Sequence, residues 1–328
     1  MFRRSLSAVL LAATSLCLSP LAAQAQEWPA KTVRILVGAN PGGGSDNLAR
    51  LIAERLGKKT GQTFVVENRP GVSNTLAAEA TARANADGYT LLVAASTSQT
   101  IAPHLIDLNY DPLEDIQPVA LITQVPTVLV TNKDMGWNSV ADLVAYMKAH
   151  PGKVSYGSSG YGSPHVILAE QFNLSAGVKA LHVPYKGASQ TQMDIIGGII
   201  HMTFDTTPAA MGQIKAGMLK PLAVTSEQRL AELPDVPTMK EAGYPDVQIQ
   251  VVYGLYTTGG VPAAVSQRIN AVFNEVLADP EFAQRLAVMG GSAQPLDVAQ
   301  FEAMSQQELD KFGRIIELAG IPSQKTRR

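Results

Sequence analysis

Two short segments combine residue types and spacings suited to holding an anion. Gly38-Ala39-Asn40-Pro41-Gly42-Gly43-Gly44-Ser45-Asp46 joins a β-type run to an amphipathic one, and Gly157-Ser158-Ser159-Gly160-Tyr161-Gly162-Ser163-Pro164-His165 does the same further on. A helix opened by such a turn leaves its first backbone N–H groups unpaired. The helix dipole adds partial positive charge there, and glycines let a ligand approach the backbone. A carboxylate, phosphate or sulfate is then held without a cationic side chain. Ser45, Ser158, Ser159 and Ser163 add hydroxyl donors. The candidate contacts are Ala39, Gly42, Gly43, Ser45 and Asp46 in the first turn, and Ser158, Gly160, Ser163 and His165 in the second. Asp46 has a structural alternative, bracing its loop, because a carboxylate repels an anion.

Other segments add to these two. Ser96 and Thr97, in Ala95-Ser96-Thr97-Ser98-Gln99-Thr100, follow a third β-type run and either line a cleft or cap a helix. Asp205, after Met202-Thr203-Phe204, offers an acceptor for a ligand hydroxyl or amine. Tyr253 is a candidate wall residue, and Lys186 reads as a solvated cation. No G-x-S-x-G elbow, H-E-x-x-H helix, P-loop or dinucleotide fingerprint is present. No carboxylate pair stands out as acid and base. These absences favour binding over catalysis, with no metal and no cofactor.

The elements that must position these residues alternate regularly. Val33–Val37, Phe64–Glu67 and Tyr89–Ala94 read as strands, and Leu48, Leu51, Ile52 and Leu56 mark the inner face of a helix. Thr75–Ala84 reads as a second helix. This order implies right-handed crossovers and a parallel sheet. The pattern restarts after the apolar run Val119–Val130. Val140–His150 is helical with Asn138 or Ser139 as cap, and Val154–Tyr156, Ala180–Val183, His201–Asp205 and Leu222–Val224 are strands among further helices. Gln248–Tyr256 alternates like a strand. Pro262, in the N1 position that proline favours, opens the helix Ala264–Ala278. Two amphipathic helices, near Glu281–Met289 and Asp297–Leu318, close the chain. Both glycine turns therefore sit at carboxyl ends of strands, where open α/β sheets bind ligands. The fold expected is α/β, with two Rossmann-like lobes joined by crossover strands. Residues 26–127 and 250–328 form one lobe and 128–249 the other.

The ends and the charge balance narrow the setting. Arg3 and Arg4, the apolar stretch Leu6–Leu21 and the small-x-small site Ala23-Gln24-Ala25 have the layout of a secretory signal peptide over residues 1–25. The expected location is the periplasm. Cys17 is the one cysteine among 328 residues, so the mature chain has no disulfide and no thiolate chemistry. Setting Arg3 and Arg4 aside takes the 26 basic residues to 24, against 28 acidic ones, a net of −4. Without a basic patch, nucleic acid is not an expected partner.

Several motifs together resemble one family. They are Trp28-Pro29 with Lys31, Pro41–Asp46 with Arg50, Val66-Glu67-Asn68-Arg69-Pro70-Gly71, Asp87-Gly88-Tyr89-Thr90-Leu91, His182–Gly187, Leu222–Ser226 and Leu233–Thr238. In this order they are similar to tripartite tricarboxylate transporter substrate-binding proteins, the Bug type. The resemblance implies a type II periplasmic-binding-protein fold that closes like a flytrap. It also implies capture of a mono- or dicarboxylate, aliphatic or aromatic, for delivery to membrane transporter subunits. One ligand carboxylate would be held by the loops Ala39–Asp46 and Ser158–His165, largely through backbone amides and ordered waters. The sequence departs from the family where Gly38-Ala39 replaces a Pro-Phe pair, and where Val252-Tyr253 replaces Trp-Phe before Gly254. Both changes alter the pocket wall. A sensory module and a periplasmic enzyme acting on a carboxylate are the alternative functions. A monomer is the default.

Overall fold

Val33–Val37 alternates little and is buried almost throughout, as a strand covered on both faces must be. The computed structural model describes residues 28–41, 44–185, 188–288 and 291–325. The expected signal peptide, Gly42, Gly43, Lys186 and Gly187 lie outside the described residues.

The first lobe contains β1 (Val33–Val37), α1 (Gly44–Thr60), β2 (Phe64–Asn68), a 3-10 turn (Val72–Asn74), α2 (Thr75–Ala82), β3 (Thr90–Ala95), α3 (Thr97–Thr100) and α4 (Ala102–Leu105). The chain crosses in the long β4 (Ile116–Asn132). The second lobe holds α5 (Val140–Ala149), β5 (Ser155–Ser158), α6 (Pro164–Ala176), β6 (Leu181–Pro184), α7 (Ala188–Ile196), β7 (Met202–Thr206), α8 (Thr207–Lys215) and β8 (Leu219–Val224). The return leads to β9 (Gln250–Thr258), α9 (Ala263–Leu277), α10 (Pro280–Val288) and α11 (Val298–Leu318).

The strands form one curled sheet in the order β2-β1-β3-β9-β4-β7-β5-β6, with β8 also on β4. β1 pairs in parallel with β2 and β3, and β5 with β6 and β7, as the two crossover patterns required. β4 pairs with β9 from Ile116 to Pro126 and with β7 and β8 from Thr127 to Asn132. One strand thus belongs to both lobes. Its register shifts twice against β9, and such irregularities bend a strand.

Each lobe buries apolar residues on both faces of its sheet. Ile35, Leu48, Ile52, Leu91, Ile269 and Phe273 form one face of the first lobe, and Leu36, Ala77, Leu92, Tyr256 and Phe301 the other. Leu143, Tyr156, Ile167, Phe172 and Phe204 centre the second lobe, with Val128, Ile195 and Val224 on its far side. The helix α11 contributes Phe301 to the first lobe and Phe312 and Ile316 to the second.

Helix ends follow local chemistry. Ser139, one of the two cap candidates, accepts from the Asp142 amide at 3.1 Å. Asp297 and Gln300 form a capping box for α11. Pro262 differs from expectation: it occupies the N-cap, not N1, because its ψ of 136° is extended and Ala263 is the first helical residue.

Candidate functional site

The first glycine turn leaves β1 and enters α1. Its carbonyl at Ala39 accepts from Asn68 Nδ2 at 3.0 Å, and the same nitrogen donates to Asp46 Oδ1 at 2.8 Å. Arg50 Nε donates to Asp46 Oδ2 at 2.9 Å, and its terminal nitrogen reaches Asn68 Oδ1 at 3.2 Å. Asp46 is buried. It is therefore a brace that ties α1 to β2 and fixes the loop. The charge is balanced by Arg50, whose own pKa is raised mainly by that hydrogen bond. Asn68 carries this arrangement, although the sequence reading assigned it no site role.

Ser45 is half-buried and hydrogen-bonds the Tyr253 hydroxyl on β9. Burial raises the Tyr253 pKa; the Ser45 contact opposes this, and the Asp205 carboxylate adds to it. Ser45, Tyr253 and Asp205 are thus near neighbours, although they come from three distant parts of the chain. Ser96 and Thr97 are buried at the start of α3, and no side chain caps that helix. The Ser96 amide donates to Val252 O at 2.7 Å, which ties this corner to β9.

The second turn leaves β5 and enters α6. Gly160 has φ +109°, a conformation that side chains rarely adopt, and a Cβ there would meet open space. Ser158 Oγ lies 2.6 Å from His182 Nε2 and accepts from the Gly160 amide at 3.1 Å. Ser163 occupies the N-cap of α6, but its hydroxyl donates to Gly160 O at 2.6 Å instead of capping the helix. The first turn of α6 consequently has no side-chain cap. His165 Nδ1 lies 3.2 Å from Ser159 Oγ, and its Nε2 lies 3.8 Å from Asp205 Oδ1. Asp205 also accepts from Gln192 Nε2 at 2.6 Å and from the Thr206 amide at 2.8 Å. Both of its oxygens are engaged by protein donors.

The two turns face a common element that the sequence reading missed, the 3-10 turn Val72–Asn74. Ser73 and Asn74 have φ of 51° and 63°, so both are left-handed. A Cβ on Gly38 would lie 2.5 Å from Asn74 Cβ, and a Cβ on Gly162 would lie 2.5 Å from Ser73 Oγ. The turn is wedged between the root of the first glycine loop and the tip of the second. Two polar residues after Pro70-Gly71 were the available signal, but a left-handed pair leaves no periodicity to read.

A profile described as the tripartite tricarboxylate transporter family receptor, TctC, matches residues 48–321. The chain belongs to the tripartite tricarboxylate transporter receptor family. Within that family, this receptor is 36% identical to an Agrobacterium vitis protein, "UPF0065 protein in the TAR-I ttuE-ttuC' intergenic region", over 95% of this chain and 91% of that one. Among solved structures it is similar to "periplasmic binding protein BugD", with TM-score 0.82 and 30% identity over 90% of this chain and 100% of that one. It is also similar to Rhodopseudomonas palustris Rpa4515 with adipate, with TM-score 0.85 and 32% identity over 90% and 99% of the two chains. For MatC (Rpa3494) of the same organism, with bound malate, the figures are 0.80 and 28% over 88% and 99%. The receptor therefore has the two-lobed periplasmic-binding-protein fold and belongs to a solute-binding class. Among its described residues no helix is long and apolar enough to cross a membrane.

Proposed function

We propose that this receptor captures a small organic carboxylate between the turns 39–46 and 158–165 and hands it to the membrane subunits of a tripartite transporter. The observation that carries the reading is that two glycine turns, one opening α1 and the other α6, approach the same 72–74 turn from its two sides. Each helix start supplies backbone donors and dipole charge to an anion. Ser45, Ser158 and Ser163 surround those donors, with Ser96, Thr97 and His165 on the adjoining walls. Asp46 and Asp205 act as braces, holding the first loop and the His165 ring. The adipate and malate bound by two similar proteins support an aliphatic diacid as the ligand class.

Capture proceeds by closure of residues 128–249 on residues 26–127 and 250–328, with Gly162 meeting Ser73. The protein acts as a periplasmic monomer after removal of residues 1–25. The test is a thermal-shift and calorimetric panel of straight-chain diacids, monoacids, amines and sugars. A ligand at a hundred times its Kd stabilises the folded state by about 2.7 kcal/mol, which is several degrees for a chain of this size. Shifts with acids alone support the reading. Shifts with sugars or amines alone, or with nothing after removal of co-purified ligand, overturn it.

A further inference from the structure

We propose that the end of the second lobe away from the glycine turns is a docking surface for anionic lipid. Met193, Ile199 and Met218 enter the headgroup layer there, and lysines meet the phosphates. This surface is separate from the capture site, since none of these residues belongs to either turn.

Strand register places the surface. β4 ends at Asn132, and β7 and β8 run antiparallel to it, with Met202 opposite Thr131 and Leu219 opposite Asn132. The starts of β7 and β8 therefore lie at the end of β4. Ser158 and Thr206 close β5 and β7 at the other end of the lobe. Asn132 Nδ2 donates to Ile195 O at 2.8 Å and Ile196 O at 3.3 Å, which ties the end of α7 to the same corner. A Cβ on Gly197 would lie 3.4 Å from Met193 O and 4.0 Å from Ile199 Cγ1. Met218 directly precedes Leu219. The α7–β7 and α8–β8 connections thus meet around Asn132.

These connections expose apolar side chains: Met193 is 62% exposed, Ile199 68% and Met218 38%. Grouped apolar chains in water, unlike single ones, mark an interaction surface. The charge around them is mostly positive. Lys133 follows Asn132, Lys215 ends α8, and Lys220 pairs with Thr131. Lys153 and Lys179 precede β5 and β6 at the same end. Three carboxylates lie among them. Asp134 pairs with Lys133 at 2.7 Å, Asp194 accepts from the Tyr185 hydroxyl at 2.7 Å, and Asp142 feels the charge of Lys220. Lysines at helix C-termini answer the dipole, but the dipole does not call for an exposed isoleucine.

Residue types select the partner. Protein interfaces favour Tyr, Trp and Arg and are depleted in Lys. These connections expose lysines and no arginine, tyrosine or tryptophan. Lysine stems lie along apolar surface while their ammonium groups reach outward as mobile point charges. Basic residues beside apolar ones are the composition that binds an anionic lipid surface.

The experiment is vesicle co-sedimentation of the receptor freed of residues 1–25, whose apolar stretch would itself bind lipid. Vesicles of phosphatidylcholine are compared with vesicles that also carry phosphatidylglycerol, at low and high salt. Wild type is expected to bind the anionic vesicles at low salt and to be released at high salt. The double variant Lys153→Glu/Lys215→Glu is expected to weaken partitioning about tenfold or more. Ile199→Ser is expected to weaken it about threefold or more. All three positions are exposed, so thermal midpoints should stay within a few degrees of wild type. No binding to anionic vesicles at low salt, equal binding to neutral ones, or binding unmoved by both variants would overturn the proposal. Sedimentation velocity without lipid tests the other occupant. A wild-type dimer that Ile199→Ser dissociates would assign the surface to a second copy and overturn the lipid reading. None of these outcomes bears on carboxylate capture.

Discussion

Asn68 donates to Asp46 at 2.8 Å from the same nitrogen that holds the Ala39 carbonyl at 3.0 Å. One amide thus locks the end of β2 to both the loop and the helix of the first glycine turn. Substituting Asn68→Ala leaves the buried Asp46 with Arg50 as its described side-chain partner and frees the Ala39 carbonyl. We expect a loss of about 1–3 kcal/mol in urea unfolding. Carboxylate affinity measured by calorimetry is expected to drop with it, because the loop loses its fixed position.

Gly162 makes a different prediction. A side chain there collides with Ser73 Oγ and approaches the Ala102 backbone. Gly162→Val is expected to block the approach of the two lobes while leaving each core intact. Affinity should fall at least tenfold, with the thermal midpoint of the ligand-free protein within a few degrees of wild type. Retained affinity would show that capture does not require this contact.

Protonation bears on the second turn. His182 Nε2 lies 2.6 Å from Ser158 Oγ, and burial holds its pKa below the ordinary histidine value. Burial lowers the His201 pKa as well. The unfolded chain then binds more protons below about pH 6.5. The stability these neutral rings confer is complete above that pH and is lost as the pH falls toward their folded values. Glu67, lowered chiefly by its Arg34 hydrogen bond and then by Arg69, loses its contribution only below about pH 4.5. Thermal midpoints should therefore decline between pH 7 and 5, and the decline should shrink in His182→Gln.

Phe312 tests the reach of α11. It is 2% exposed in the second-lobe core, although the helix starts against the first. Phe312→Ala is expected to cost about 3–5 kcal/mol in chemical denaturation, with no direct effect on the glycine turns.

Much of this architecture was legible because hydrophobic period and turn chemistry agreed. Val33–Val37, Leu48 through Leu56 and Ser139 each give a local signal that the tertiary structure keeps. The glycine turns were legible for the same reason: strand, turn and helix follow each other directly. Asn68 was hidden because its role depends on β2 lying beside β1, a register that no local pattern states. The left-handed pair Ser73 and Asn74 was hidden more deeply, because two positive φ values in succession leave no periodicity to read. His165 and Asp205 were both singled out, but their 3.8 Å approach joins residues forty positions apart.

The span of α11 across both lobes sets an order of events during synthesis. Until the segment from α11 onward is in place, the hydrophobic interior of the second lobe lacks Phe312, Ile316 and Ile321. The interior of the first lacks Phe301 and the α9 face. Neither lobe can mature as an independent foldon, so the nascent chain carries two unfinished interiors until its last helix arrives. A premature stop before Phe301 should therefore leave both lobes targets for proteolysis, and one between Phe301 and Phe312 should leave the second lobe so.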